Sequence, residues 1–214
     1  MMRAEGKTAF ITVVAGIVIA AAPASSAAAA PLTAPSHTGS TNLVLNGSFE
    51  VPNCAPSFCE FGAGSTAIPH WKVGGSSIDL VYKGHFEPAR GSQSVDLSGS
   101  APGSVLQVVP TTAGSTYTLS WHLAGNPVCG QAAKTIHVFW NSKLVDSLKF
   151  NVTNHTPTSM GWVSRHITVK AQASTSSVEF ADATPDKSQC GAALDEVSLV
   201  QALGQLGLGV LARH

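Results

Sequence analysis

Seven carboxylates could do chemistry in this chain: Glu50, Glu60, Glu87, Asp96, Glu179, Asp182 and Asp195. Two of them facing each other across about 5–10 Å would supply the acid and the nucleophile or base of a glycoside hydrolase. Their sequence spacing sets no two of them that way, and one small domain offers little deep cleft. Nucleophilic catalysis has even less to stand on. No GxSxG elbow and no HExxH helix occurs. His70, His85, His122, His137, His155 and His166 form no i, i+4 pair. These residues point away from an enzyme.

Cys54, Cys59, Cys129 and Cys190 are the four cysteines. An even number favours disulfides where the compartment is oxidising, and four cysteines allow three pairings. "CAPSFC" suits a short local loop, and "NPVCGQ" and "KSQCGA" read as turn tips, which favours Cys54–Cys59 with Cys129–Cys190. Zinc would need paired CxxC spacing, which is missing. Asn46-Gly-Ser, Asn151-Val-Thr and Asn154-His-Thr fit the glycosylation sequon, a pattern too short to weigh alone.

The elements that must position these residues read as strands. Only 11% of the 214 residues are charged, glycine is frequent, and no long amphipathic helical run is present. Short alternating runs recur with turn residues between them: "SIDLVY", "SQSVDLSG", "SVLQVV", "TYTLSWHLAG", "KTIHVFW", "LVDSLKF", "GWVSRHITVKA", "SSVEFADA" and "ALDEVSLVQ". Alternation puts Tyr117, Leu119, Trp121 and Leu123 on one face. Asn141-Ser142-Lys143 reads as a turn that joins "KTIHVFW" and "LVDSLKF" in a hairpin. The pattern predicts an all-β antiparallel sandwich over residues 42–201.

The first residues carry a different signal. Arg3 and Lys7 precede "TAFITVVAGIVIAAA", and "PASSAAAAP" follows. That order predicts a secretory signal over residues 1–29, cut near Ala29, with a flexible linker over 30–41. Residues 202–214 form a tail without an apolar span, so no stable membrane insertion is expected once the signal is removed. Without residues 1–29 the chain holds ten basic and eleven acidic residues, and no basic stripe invites a nucleic acid.

"NLVLNGSFEVP", "STAIPHWKV", "SIDLV", "GSQSVDLSG", "PGSVLQVV", "YTLSWHLAGNP", "MGWVSRHITVKA" and "ALDEVSLV" follow one another in that order. Their joint order resembles the bacterial choice-of-anchor C exported proteins, which are similar to the plant cell-wall family called domain of unknown function 642. The resemblance covers residues 42–200. It implies a galactose-binding-like β-sandwich (jelly roll), secreted or held at the cell wall, with no catalytic residues. The tail has no LPxTG-like motif, which favours free secretion over covalent anchoring.

The resemblance also implies a structural calcium. In related sandwiches the first and last strands lie close, so Glu50 of "NGSFE" and Asp195 of "LDEV" can meet around one ion, with backbone carbonyls completing the shell. Sugar binding needs flat aromatic faces with amide and hydroxyl partners. Alternation places Trp121 and Trp140 in the core and Trp162 opposite its strand's apolar set. Trp71, Tyr82 and Asn126 lie in or beside loops. Trp71, Tyr82, Asn126 and Trp162, with His166 as a polar neighbour, are the expected ligand site. The expected function is non-catalytic binding of a cell-wall polysaccharide, the alternative a structural or adhesion protein with no sugar ligand, and a glycan-active hydrolase ranks last.

Overall fold

The computed structural model describes residues 41–202. The expected signal, most of the linker and the tail lie outside the described residues. Eleven strands follow in order: β1 (Phe58–Gly62), β2 (Lys72–Gly75), β3 (Ser77–Tyr82), β4 (Gln93–Asp96), β5 (Gly103–Pro110), β6 (Thr116–Gly125), β7 (Ala133–Trp140), β8 (Lys143–Asn151), β9 (Val163–Lys170), β10 (Thr175–Asp182) and β11 (Ala192–Gln201). They form a six-stranded sheet in the order β1-β3-β4-β11-β6-β9 and a five-stranded sheet in the order β2-β5-β10-β7-β8. Every pairing is antiparallel. The result is the all-β sandwich that the alternation predicts.

Each sheet turns one face inward because its strands alternate. Leu80, Val95, Leu119, Trp121, Leu123 and Leu194 of the six-stranded sheet are at most 1% exposed. They meet Val105, Ile136, Val138, Val178 and Phe180 of the five-stranded sheet, which are equally buried. Trp121 and Phe180 cross edge to face with ring centroids 5.4 Å apart. Each such large side chain stabilises the fold by about 1.5–3 kcal/mol on burial. β1 and β2 contribute little to the core: Val73 is buried, and Cys59 and Phe61 are only partly buried against it. Strands of five and four residues leave alternation little length in which to show.

"NLVLNGSFE" is not a strand. β4 pairs with β11 only through Ala193 and Leu194. Beyond that point the incoming chain takes up the free edge: Leu43 N–H donates to Leu199 O (2.8 Å), and the Asn42 carboxamide accepts the Leu199 N–H (2.9 Å). The register of β11 shifts between Asp195 and Ser198, with Glu196 at φ +50°. Val197 N–H, freed by that bulge, donates to Gly47 O at 2.8 Å. A Cβ on Gly47 would overlap the Val197 carbonyl oxygen, so glycine is required for this approach.

Two buried glutamines fasten the rest of the segment. Gln107 of β5 accepts from Leu45 N–H (2.8 Å) and donates to Leu45 O (2.9 Å). Gln93 of β4 donates to Phe49 O and Pro52 O and accepts from Cys54 N–H. Phe49, fully buried, packs on Trp71 with centroids 5.1 Å apart. The N-terminal segment is thus an irregular strap over both sheets, held by side-chain amides where a strand would use its own ladder.

Candidate functional site

The outward face of the six-stranded sheet carries a row of carboxylates. Glu60 of β1 pairs with Asp79 of β3, and Asp79 pairs with Asp96 of β4. Directly opposed residues on adjacent strands have Cβ atoms only about 4.5–5.5 Å apart, so three acids stand side by side. They face away from the core because Ile78, Leu80, Val95 and Leu97, which alternate with them, face inward. Above the row lies a cavity of about 300 Å³, lined among others by Phe58, Asp79, His85, Asp96, Asn126 and Gln189.

Each acid has a different environment. Glu60 is exposed and accepts the Ser100 N–H (2.9 Å) and the Ser100 hydroxyl. These bonds hold its carboxyl below the usual range. Asp96 is 2% exposed. It accepts from Ser98 N–H (3.0 Å), Gly191 N–H (3.1 Å) and the Asn126 amide (2.7 Å). Burial outweighs those donors and pushes its carboxyl up to about 7. Asp79 is pushed up to about 6, first by burial and then by the charge of Glu60. Its Oδ1 is buried with no hydrogen-bond partner. Glu60 Oε1 and Asp79 Oδ1 lie 3.1 and 3.2 Å from where a Cβ on Gly99 would stand. Gly99 is what lets the backbone pass over them.

The mouth of the cavity is apolar. Phe58 is 48% exposed, Val128 63%. The Phe58 ring stands 5.4 Å from His85, which stands 4.9 Å from Phe86. Both disulfides brace this rim. Cys54–Cys59 closes the turn that carries Phe58, with Cα atoms 5.5 Å apart. Cys129–Cys190 joins the two tips that form the far wall, with Cα atoms 5.6 Å apart. Beneath them Lys134 of β7 is wholly buried, and its Nζ donates to Cys129 O and Cys190 O, each at 2.6 Å.

Of the residues expected to bind a ligand, only Asn126 lines this cavity, donating to Asp96 while its own Oδ1 caps Val128 N–H (2.9 Å). Trp71 must be corrected: it is 1% exposed, its ring lies against Phe49, and its Nε1–H donates to Asn46 O at 3.0 Å. It plugs the sandwich and has no face to offer. Tyr82 ends β3 half-buried, with the Lys83 ammonium 6.0 Å from its ring centre. Trp162 is half-buried and donates to Glu87 O (2.8 Å), so it props the loop that carries His85. His166 is exposed on the edge strand β9. Asp79 and Phe58 were missed, and Glu60 and Asp96 stood among the candidate carboxylates without being brought together. Asp79 and Asp96 both sit mid-strand opposite inward apolar residues, a readable sign of an outward acid, but strand order is not readable from the sequence.

Glu50 and Asp195 converge on one loop. Glu50 Oε1 accepts from Ser92 N–H (2.8 Å) and Gln93 N–H (3.2 Å). Asp195, 0% exposed, accepts from Arg90 N–H (3.1 Å) and Glu196 N–H (2.7 Å). Burial pushes Asp195 up to about 7. The Arg90 side chain reaches Glu196 instead, at 4.0 Å. Both carboxylates are held by backbone amides of this segment, and a hard-oxygen shell here would use the lone pairs that those amides leave. Among the described residues no three His, Cys, Asp or Glu side chains gather around a metal position, so backbone carbonyls would have to complete it. On the same face the Ser164 hydroxyl and His122 Nε2 lie 2.9 Å apart. Asp195 is in register with His122, yet both its oxygens are engaged by backbone amides.

The molecule is therefore a two-sheet antiparallel sandwich with a partly apolar, acid-lined cavity on one outer face. Residues 42–200 match the family described as "Protein of unknown function (DUF642)", and the chain belongs to that family. It is 33% identical over 168 residues to halomucin of Haloquadratum walsbyi, a match that takes in 75% of this chain but spans only 2% of halomucin's length. Among solved structures it is similar to a family 35 carbohydrate binding module from Clostridium thermocellum. There the TM-score is 0.45 and the identity 16%, covering 67% of this chain and 99% of that one. It is also similar to TmCBM61, solved in complex with β-1,4-galactotriose. That match has a TM-score of 0.46 and 15% identity, covering 76% of this chain and all of the other.

The raised carboxylates make stability depend on pH in a stated direction. Between about pH 4 and pH 7 the folded protein keeps protons on Asp79 and Asp96 that the unfolded chain has released, so stability falls as pH rises through that window. We expect a higher melting temperature at about pH 5 than at about pH 8. Asp79→Asn, which removes no hydrogen bond from the partnerless oxygen, should reduce the difference. A melting temperature that rises from pH 5 to pH 8 in the wild type contradicts this.

Proposed function

We propose that the domain is an exported, non-catalytic carbohydrate-binding module whose ligand lies in the cavity over Glu60, Asp79 and Asp96. The observation that carries this reading is the pairing of an exposed aromatic rim with buried polar groups. Phe58 and His85 offer ring faces for the C–H side of a sugar. The carboxylates and the Gln189 amide face the same space and can meet hydroxyls. The acids are braced by disulfides and backbone donors, so little ordering is lost on binding. The target is a cell-wall or cell-surface polysaccharide, in keeping with the choice-of-anchor C likeness of the segments quoted above. Two disulfides favour an oxidising compartment and support export with a cut near Ala29.

We also propose that Glu50, Asp195 and backbone carbonyls of the 90–93 loop hold a structural calcium. The ion would lock the loop that Trp162 supports and that carries His85 at its start. It would take no part in any reaction.

A shallow site of this kind should bind oligosaccharide at about 10 µM to 1 mM. Phe58→Ala should weaken binding roughly tenfold or more while circular dichroism stays unchanged, because a few contacts dominate such sites. Full retention of the folded variant on an insoluble polysaccharide that the wild type binds would defeat the site. Calcium should raise the melting temperature of metal-stripped protein, and Asp195→Ala should remove the response. Identical melts with calcium and with chelator would refute the ion. Intact mass of the exported protein should show a chain beginning near Ala30, and a full-length N-terminus would rule out the cut.

A further inference from the structure

Resting on the carbohydrate reading above, the chemistry of the cavity wall narrows the sugars it admits. Its acidic lining residues are Glu60, Asp79 and Asp96, and no lysine or arginine lines it. The nearest buried cation, Lys134, is turned to the Cys129 and Cys190 carbonyls behind the wall. Of the wall's donors, the Asn126 amide goes to Asp96 and the Ser100 hydroxyl to Glu60, which leaves the Gln189 amide and the His85 ring to face the space. Asp79 Oδ1 remains buried without any donor. Three acidic side chains thus face two free donor side chains, under an apolar mouth formed by Phe58 and Val128, so acceptors are in excess.

A ligand matches it by bringing donors, and positive charge makes those donors count for more. An ammonium offers three N–H groups, and hydrogen bonds to ionised partners are roughly twice as strong as neutral ones. An N-acetyl group offers one N–H and no charge. A uronate brings a negative charge to face the carboxylates of Glu60 and Asp79, a juxtaposition that works against binding. We propose that this cavity selects sugars carrying a free amino group over their N-acetylated counterparts and over uronates. General attraction between a polycation and the protein is not the source, since without residues 1–29 the chain has ten basic and eleven acidic residues.

The test is calorimetric titration of the exported protein at low salt and about pH 7 with three oligomers of equal length, of glucosamine, N-acetylglucosamine and galacturonate. Glucosamine should bind roughly tenfold tighter than N-acetylglucosamine, and galacturonate more weakly than either. The glucosamine to N-acetylglucosamine ratio should fall several-fold in Asp79→Asn, and again in Glu60→Gln, an exposed site where folding is not at risk. Equal affinity for the amino and N-acetyl oligomers, with Phe58→Ala weakening both, overturns the selectivity and leaves the carbohydrate reading standing. A ratio unchanged in both variants also overturns it. No binding of any of the three, nor of neutral polysaccharides, overturns both.

Discussion

One buried ammonium organises the end of this sandwich where the acid-lined cavity lies. Lys134 enters from β7 of the five-stranded sheet, crosses the interior and donates to the carbonyls of both cysteines in the Cys129–Cys190 bridge. Burial lowers its pKa from the usual lysine range, opposed by the charges of Asp186, Asp96 and Asp182, in that order. Its stem needs room, and Gly125 supplies it: a Cβ there would stand 2.6 Å from Lys134 Cγ. Removing the ammonium would leave the Cys129 carbonyl without its donor, the Cys190 carbonyl with only the Ser188 hydroxyl at 3.4 Å, and several acids without a counter-charge, the kind of loss that costs more than the interaction itself contributes. The bridge closes a loop between residues 61 apart, worth roughly 2–4 kcal/mol through the unfolded chain. Covalent bond and buried cation together fix the wall that faces Asp96.

The opposite end is fixed by a different device. The strap over residues 42–54 has no ladder of its own, so Asn42, Gln93 and Gln107 stand in for one. Glu50 and Asp195 then hold the 90–93 loop from two sides. That loop follows directly on the segment bearing His85 and Phe86, so the strap, the last strand and the aromatic rim form one mechanically connected unit. Cys54–Cys59 ties the end of the strap to β1 and hence to Phe58.

Much of the fold was legible because alternation is a local property. β3 through β11 fall on runs where inward apolar residues recur at period two. β1 and β2 are too short to display that period clearly, with Val73 buried and Cys59 and Phe61 only partly so, and only the three-dimensional pairing defines them. Trp71 misled because its surroundings, "IPHWKV", look like loop; the aromatic is inserted beneath Phe49 by a turn that carries no periodic signal. Lys134 shares its parity with Ile136, Val138 and Trp140, so an inward lysine could have been read from the sequence. The carboxylate row could not. Glu60, Asp79 and Asp96 are adjacent only because the sheet is ordered β1-β3-β4, and order across a sheet is set by packing of the whole chain.

A ligand in the cavity above that row must perturb the residues that line it. Nitrogen-15 heteronuclear NMR during titration with a bound oligosaccharide tests it most directly. The account predicts amide shifts concentrated at Phe58–Glu60, Asp79, His85, Asn126–Cys129 and Gln189, and little change on the five-stranded sheet. Shifts gathered instead around Arg90, His122 and Ser198, or along β8, would contradict it.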